Sequence, residues 1–286
     1  MGEIAEEGEK RIVSANYYMV AVLDLLGQKE AMKKFKGLPD VTDENKMGEF
    51  YAICKETFGA IDGLHTFTKS FLTRFLEKRR KDDVVPYTDI KFQRFSDGLV
   101  MFVSLRVTKN EVPVQAVYGA LGACGAHCLA QLALGRPLRG GVEVGVGVEL
   151  NENELYGPVI AEAFSLESEV AQYPRIVIGD NLGRYLTSMK ESRASDPYSI
   201  FASEMASCCL EFFARDIDGQ IILDYLGEGF IKQTANKLDR KLFAMALEFT
   251  EKQLEKWRGE RNSTLAIRYN LLRNYYESRK HFWKDG

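Results

Sequence analysis

The chain has 286 residues, of which 45% are hydrophobic and 28% are charged, and its formal net charge is −3. This length and apolar content predict a sizeable buried core, in one large domain or in one domain with an appendage. With a nearly balanced charge, the chain has no excess of positive charge to bind a polyanion, which disfavours nucleic acid as a ligand.

The cysteines and the N-terminal residues indicate the compartment. Cys124 and Cys128 lie four apart and Cys208 and Cys209 are adjacent, so none has the spacing of a zinc knuckle or a redox pair. Reduced thiols in a cytosol fit this pattern. The N-terminal sequence MGEIAEEGEKR lacks the apolar stretch of a signal peptide. No apolar run approaches the ~20 residues that span a bilayer, so we expect a cytoplasmic protein without membrane contact.

The first half of the chain alternates strand and helix patterns. Residues 17–26, YYMVAVLDLL, form an apolar run of strand length, and residues 45–80 carry apolar side chains at helical intervals. The segments DIKFQRF and GLVMFVSL, joined by Ser96 and Asp97, predict a hairpin. Residues 111–134 are rich in Ala, Leu and Gly, which predicts a buried helix.

The second half continues the alternation. RGGVEVGVGVEL, residues 139–150, predicts a strand whose small residues let another backbone or a ligand approach closely. A helix over 157–172 opens with Gly-Pro, and a strand over 175–179 follows it. A further helix and a last strand near 218–226 complete the pattern.

Three regions are predicted along the chain. Residues 1–15 are expected to form a flexible arm, and residues 16–229 an α+β domain. Residues 230–286 are helical in pattern, strongly charged and carry both tryptophans, so we expect a C-terminal helical extension.

Two aspartates stand out because apolar residues flank them. Asp24 lies near the end of a buried strand, just before a glycine turn, and Asp97 lies between two strands. A carboxylate at such a position is costly unless it is paired or binds a metal. Hard oxygen ligands suit Mg²⁺ or Mn²⁺. The alternative for each is an ordinary turn cap.

The order of these motifs resembles the catalytic domain of the class III nucleotidyl cyclases. The segments that carry the resemblance are LDLLG, FSDGL, RGGVEVGVGVEL, YGPVIAEAFSLESEVAQYPRIVIG and DGQIILDYL, within residues 16–226. The sequence is more similar to one branch of this family, the pyrimidine (uridylate and cytidylate) cyclases of the bacterial Pycsar anti-phage systems. The resemblance implies a ferredoxin-like βαββαβ core with a C-terminal helical extension.

By this resemblance, Asp24 and Asp97 are the catalytic, metal-binding residues, and the backbone carbonyl of Leu25 is a third ligand. The cofactors implied are two Mn²⁺ or Mg²⁺ ions per site. In such a site one metal lowers the pKa of the ribose 3′-hydroxyl, and the other neutralises the triphosphate.

Phosphate binding is assigned to the turn after the first strand and to two arginines. The backbone amides of Leu26, Gly27 and Gln28 would cradle phosphate oxygens, although the family has an aromatic residue where this chain has Gln28. Arg139 and Arg215, each beside a predicted strand, are further candidates for the substrate phosphates. The alternative for both is a surface arginine at a strand end.

The base and ribose positions depart from the purine cyclases. A lysine that reads adenine is replaced by Gln93, and strand alternation places Gln93 and Phe95 on one face as a candidate pocket for a small base. The alternative for Phe95 is ordinary core packing. The Asn and Arg that hold the ribose and stabilise the transition state are replaced by Ala161 and Ser165.

The function expected is cyclisation of UTP, with CTP as the less favoured substrate, to a 3′,5′-cyclic monophosphate and pyrophosphate. The resemblance implies a homodimer with shared active sites. It also implies a cyclic-nucleotide-gated effector that acts downstream without direct contact. Two alternatives remain: a catalytically silent cyclase-like module that binds nucleotide, and a purine cyclase, which Gln93 disfavours.

Overall fold

The computed structural model describes residues 15–27, 33, 41–79, 89–95, 98–106, 112–151, 153–193, 196–234 and 240–283. Three sequence predictions fall outside these residues, namely the arm up to residue 14, the phosphate contact of Gln28 and the metal ligand Asp97.

The described strands form one mixed sheet of eight strands. They are β1 Ala15–Leu25, β2 Ile90–Phe95, β3 Gly98–Ser104, β4 Leu138–Asn151, β5 Glu154–Tyr156, β6 Ile176–Ile178, β7 Phe213–Arg215 and β8 Ile221–Leu223. Their order across the sheet is β2-β3-β1-β4-β6-β8-β7, with β5 paired to β4. The β4–β6 pair is parallel, and the other pairs are antiparallel.

The described helices connect and cover the strands. They are α1 Glu44–Arg79, α2 Pro113–Ala133, α3 Pro158–Ser165, α4 Asp180–Lys190, α5 Pro197–Leu210, α6 Glu228–Thr234, α7 Arg240–Gly259 and α8 Ser263–Arg279. A π-helical turn, Leu166–Val170, extends α3, and a 3₁₀ turn, Lys280–Trp283, follows α8. A mixed sheet with interspersed helices confirms the predicted α+β class.

Strand β1 is continuously apolar from Tyr17 to Leu23, because both of its faces are covered over most of this stretch. Its odd-numbered side chains, such as Met19 and Leu23, belong to the large core that the helices share. Its even-numbered side chains, such as Val20 and Val22, belong to a second core together with Leu155 and the helix α3. A strand buried on both faces has a continuous apolar run rather than an alternating one. We call the surface of the sheet that carries Val20 and Val22 the α3 face.

Helix α2 corrects one expectation about membranes. Among the described residues it alone is long and apolar enough to cross a bilayer, with a mean hydropathy of 1.2. No such run was expected from the sequence. All of this apolar window is buried inside the protein, which is the environment of a core helix.

The glycines of β4 serve close backbone approach, as predicted. A Cβ on Gly141 would contact the Ala163 carbonyl oxygen and lie 2.8 Å from the Glu167 amide nitrogen. Glycine at this position therefore lets the end of α3 and the π-turn lie directly on the sheet.

Several elements differ from the pattern read from the sequence. The helix predicted over 157–172 ends at Ser165 and continues as the π-turn, in which the Ala171 amide donates to the Leu166 carbonyl at 2.8 Å. The sequence reading missed α5 and the three-residue strands β5 and β7. The Asp218-Gly219 pair is a hairpin signal that could have revealed β7, because Gly219 has the positive φ of +87° that such a turn requires.

The C-terminal helices share the core of the sheet domain. The predicted boundary after Gly229 falls within α6. Beyond it, Phe243, Leu254 and Leu272 belong to the same hydrophobic cluster as β1 and α2.

A buried polar latch fastens α8 to the residues after β8. The Asp224 carboxylate accepts from Arg279 Nε at 2.9 Å and from the Tyr275 hydroxyl at 2.8 Å. Trp283 Nε1 donates to the Leu226 carbonyl at 3.1 Å. A Cβ on residue 227 would collide with the Asp224 carboxylate, so this position requires glycine.

Asp224→Ala should lower the free energy of unfolding by about 3 kcal/mol, because it strands a partly buried guanidinium and a buried tyrosine hydroxyl. Urea denaturation followed by circular dichroism measures this change. Glu248→Ala is the matched control, since it breaks an exposed Glu–Lys pair on α7 and should have no measurable effect. Equal effects of the two substitutions would contradict a stabilising role for the latch.

Candidate functional site

One row of the sheet collects the predicted site residues on a single face. In register, Phe95 of β2 lies opposite Gly98 of β3, Gly98 lies opposite Asp24 of β1, and Asp24 lies opposite Arg139 of β4. Directly opposed residues of antiparallel strands point to the same side of a sheet. The row therefore lies on the α3 face. Gly98 also follows Asp97 directly in the chain.

Arg139 and Glu167 form the electrostatic centre of this row. Arg139 Nε donates to the Glu167 carboxylate, and another guanidinium nitrogen of Arg139 lies 3.9 Å from Asp24 Oδ2. The Glu167 side chain is 5% exposed, whereas the side chains of Arg139 and Asp24 are 19% and 26% exposed. The site thus has a buried carboxylate behind an arginine, and a second carboxylate open to solvent.

The π-turn gives Glu167 its position. In a π-turn the chain gains one residue relative to an α-helical turn, which changes the direction of the side chains that follow. Glu167 is buried while its neighbours Ser168 and Glu169 are exposed. Since Gly141 admits the turn onto β4, the Arg139–Glu167 pair depends on that glycine.

The two predicted base-binding residues have different surroundings. Phe95 is 36% exposed and packs edge-on against Phe164 of α3, with ring centroids 5.5 Å apart. It is therefore not ordinary core. Gln93 Oε1 accepts from the Leu155 amide at 3.0 Å, which holds β5 over the α3 face.

The turn after β1 meets the phosphate prediction only in part. The Leu26 amide donates to the Pro137 carbonyl at 2.9 Å, so that amide is already engaged within the protein. Leu25 is buried and pairs with Leu138. Gly27 has φ +95°, a conformation that favours glycine and turns the chain sharply.

Arg215 lies apart from the Asp24 row within the chain, and its assignment to the substrate phosphates stays a prediction. It lies on the far edge strand β7, four strands from β1, or about 19 Å across the sheet at the usual strand spacing. Its guanidinium donates to the Gly219 carbonyl of its own hairpin at 2.8 Å. The sequence could not show this, because strand order is not written in the local pattern.

Ala161 and Ser165 lie one turn apart on the outer side of α3, and both are exposed. Their side chains are too short to reach the row on the sheet beneath, and neither carries a charge. Helix α3 therefore presents no cation at either position.

The donors for a divalent cation are partly described. Asp24 supplies a hard carboxylate oxygen that is open to solvent, which suits Mg²⁺ or Mn²⁺. In the part of the chain that the structure describes, no group of three or more His, Cys, Asp or Glu side chains is placed to hold a metal ion. The second predicted carboxylate, Asp97, lies outside those residues.

Comparison with protein-family models, with curated proteins and with solved structures returned no match for this chain.

Sequence reasoning missed two residues of the site, Glu167 and Phe164. Both belong to the FSLES segment, whose helical spacing alone does not reveal an inward-facing glutamate. The signal that could have found Glu167 is its charge beside the apolar Leu166 and Val170, opposite the glycines of β4.

Arg139→Ala should lower the free energy of unfolding by about 2–3 kcal/mol, because it leaves the buried Glu167 carboxylate without its cation. Combining it with Glu167→Gln should restore part of that loss, since the buried charge is then removed as well. Urea denaturation of the three variants measures both effects. Arg94→Ala is the matched control, because its pair with Asp62 is exposed and contributes little. A loss no greater than that of the control would show that Glu167 does not need Arg139.

Proposed function

We propose that this protein is a class III-type nucleotidyl cyclase that converts UTP, or less readily CTP, to the 3′,5′-cyclic monophosphate and pyrophosphate. Its enzyme class would be a phosphorus–oxygen lyase. The biological role proposed with it is antiviral defence, in which the cyclic nucleotide is a second messenger for a gated effector.

The connectivity of the first six elements supports this proposal. The chain runs β1-α1-β2-β3-α2-β4, and these strands are ordered β2-β3-β1-β4. That is the split βαββαβ arrangement of a ferredoxin-like core, which the cyclase resemblance implies. Folds of this kind have many different functions, so the function must be inferred from the residues of the site.

The observation that carries the proposal is the placement of Asp24 between Gly98 and Arg139. Gly98, the register partner of Asp24, directly follows Asp97 in the chain. A cyclase needs two carboxylates at this place, because the triphosphate and the attacking hydroxyl must share one pair of cations.

Asp24, the Leu25 carbonyl and Asp97 would hold two Mn²⁺ or Mg²⁺ ions. When bound, these ions would acidify the ribose 3′-hydroxyl and neutralise charge on the triphosphate. The chain itself contributes position and charge. Arg139 is suited to phosphate oxygens because its guanidinium is planar and always charged, and Glu167 fixes its orientation.

The proposed pocket for the base is bounded by Phe95 and Gln93. The exposed ring of Phe95 offers a stacking surface. With its Oε1 committed to Leu155, Gln93 would act mainly through its amide nitrogen, which is a donor. A donor at this position suits the O4 acceptor of uracil better than the 4-amino group of cytosine.

A second candidate is a catalytically silent cyclase-like module that binds nucleotide. The short, uncharged side chains of Ala161 and Ser165 favour it, because they cannot stabilise a transition state. A purine cyclase is less favoured, because Gln93 stands in the place of the lysine that reads adenine.

The proposed assembly is a cytoplasmic homodimer with shared sites. Its support is chemical: Phe95 is a large aromatic side chain on the α3 face that remains 36% exposed. Exposed apolar side chains at one surface are typical of an interface. Isologous pairing would bury this surface on both subunits.

Incubation of the full chain with UTP, CTP, ATP or GTP and Mn²⁺, followed by mass spectrometry, should yield cyclic UMP as the main product. ATP and GTP should react far more slowly, because a pocket narrowed by Phe95 excludes the second ring of a purine. Asp24→Asn and Asp97→Asn should each reduce turnover at least about a hundredfold, through loss of a metal ligand.

Glu251→Gln is the control for these variants, since Glu251 is an exposed carboxylate on α7. Turnover of ATP as fast as that of UTP would favour a purine cyclase instead. Nucleotide binding without any product would favour the silent module. Turnover by Asp24→Asn near the level of the control would contradict the metal assignment.

Complementation tests the shared site. Within one chain, Phe95 and Asp24 are two strand positions apart, or about 10 Å between Cα atoms, so a site within a single subunit is a real alternative. Asp97→Ala and the double variant Gln93→Ala/Phe95→Ala should each be weak alone. After co-refolding, their mixture should regain part of the activity, since one of two sites in a heterodimer is then intact.

Native mass spectrometry must first show that mixed dimers form. Mixed dimers without any regain of activity would mean that each subunit holds a complete site.

A further inference from the structure

A cavity of about 600 Å³ lies away from the Asp24 row, at the opposite end of β1. Tyr17, Val144 and Val146 form its floor, and Tyr17 is the register partner of Val146. Tyr17 is the third residue of β1, and Asp24 is the last but one. The two sites are therefore separated by about 23 Å along β1.

The cavity exists because β6 is short. Strand β6 pairs only with Gly140–Val142 of β4, so the next residues of β4 have no strand beside them there. Helix α4 begins directly after β6, and its residues Asn181 and Tyr185 form one wall. Pro158 and Glu162, one turn apart on α3, form the other wall.

The lining combines apolar surface with one sign of charge. Glu162 is the only charged side chain among the lining residues that the structure describes, and no lysine or arginine is among them. Tyr17 and Tyr185 add two aromatic rings. Burial raises the pKa of the Tyr185 hydroxyl, so this phenol remains neutral at physiological pH.

A second carboxylate lies behind the wall of the cavity. Glu143 is buried and accepts from the amides of Val144 and Leu182, at 2.7 Å and 3.0 Å. Burial raises the pKa of this carboxyl, and the negative charge of Glu162 adds to the effect. Glu162 is therefore the negative charge that a cation in the cavity would meet.

We propose that this cavity is a binding site for a small organic cation with an apolar body, such as an aryl-alkyl ammonium ion. The volume is that of a small-molecule site with a mainly apolar lining and few polar groups. The ammonium group would lie near Glu162 and against the tyrosine rings, which attract cations through their faces. The apolar body would cover Val144, Val146 and Leu105. This proposal is independent of the cyclase proposal.

Three probes of matched size test it by isothermal titration calorimetry on the full chain in amine-free buffer. They are the cation 2-phenylethylammonium, the neutral 2-phenylethanol and the anion phenylacetate. The cation should bind at least about tenfold more tightly than the alcohol, and phenylacetate more weakly than either. Asp24→Asn should bind the cation as the unaltered chain does.

Variants then locate the binding. Glu162→Gln should weaken binding of the cation about tenfold and leave that of the alcohol unchanged. The matched control Glu204→Gln, at an exposed position of α5, should change neither. Val146→Trp, which fills the cavity from a partly exposed strand position, should block all three probes.

Equal affinity for the cation and the alcohol would overturn the proposal, as would undiminished binding of the cation by Glu162→Gln. Absence of saturable binding by every probe would overturn it as well. None of these outcomes depends on turnover of a nucleotide, so they remain distinct from failure of the cyclase proposal.

Discussion

The candidate site depends on the pairing of β1 with β4 along its whole length and with β3 from Tyr18 to Asp24. This pairing satisfies the backbone of a strand that is buried on both faces, where unpaired amides would be costly. It also determines which side chains meet. A slip of one residue between β1 and β4 would put Asp24 and Arg139 on opposite faces of the sheet, and a slip between β1 and β3 would separate Asp24 from Gly98. The two hydrophobic cores oppose such a slip, because it would exchange the side chains that each core contains.

On the α3 face, the backbone conformation of α3 and its π-turn determines which charged side chains meet at the site. Gly141 lets the π-turn approach β4, and the turn directs Glu167 towards Arg139. The arginine is thereby held between a buried carboxylate and the partly exposed carboxylate of Asp24. An arginine restrained in this way loses less conformational freedom when it contacts an anion than one on an open surface would. The same helix, α3, carries Glu162 on its outer side, so one short element contributes to both candidate sites.

The sequence was sufficient to predict β1, the β2–β3 hairpin and α2, because each has a long apolar pattern bounded by turn residues. It did not reveal β5 or β7, since three-residue strands are too short to show a period. The separation of Arg215 from the Asp24 row was not foreseen, because strand order depends on tertiary pairing that no local pattern encodes. Glu167 was missed because its direction depends on a π-turn. Asp97 and Gln28 lie outside the described residues, so their roles, like the nucleotide chemistry itself, stay predictions.

Helix α1 is longer than the sheet it accompanies. Its 36 residues extend about 54 Å, yet no described side chain before Ile61 is buried, and Tyr51 and Phe58 are 63% and 65% exposed. Only the second half of the helix packs against the core. The first half therefore depends on the second half for its stability, because it buries little surface itself. A water-exposed helix of this length is marginal by itself. Hydrogen-exchange protection along α1 should consequently rise from its N-terminus towards Leu64, which makes the leading half of the helix a segment that can unwind without disturbing the sheet.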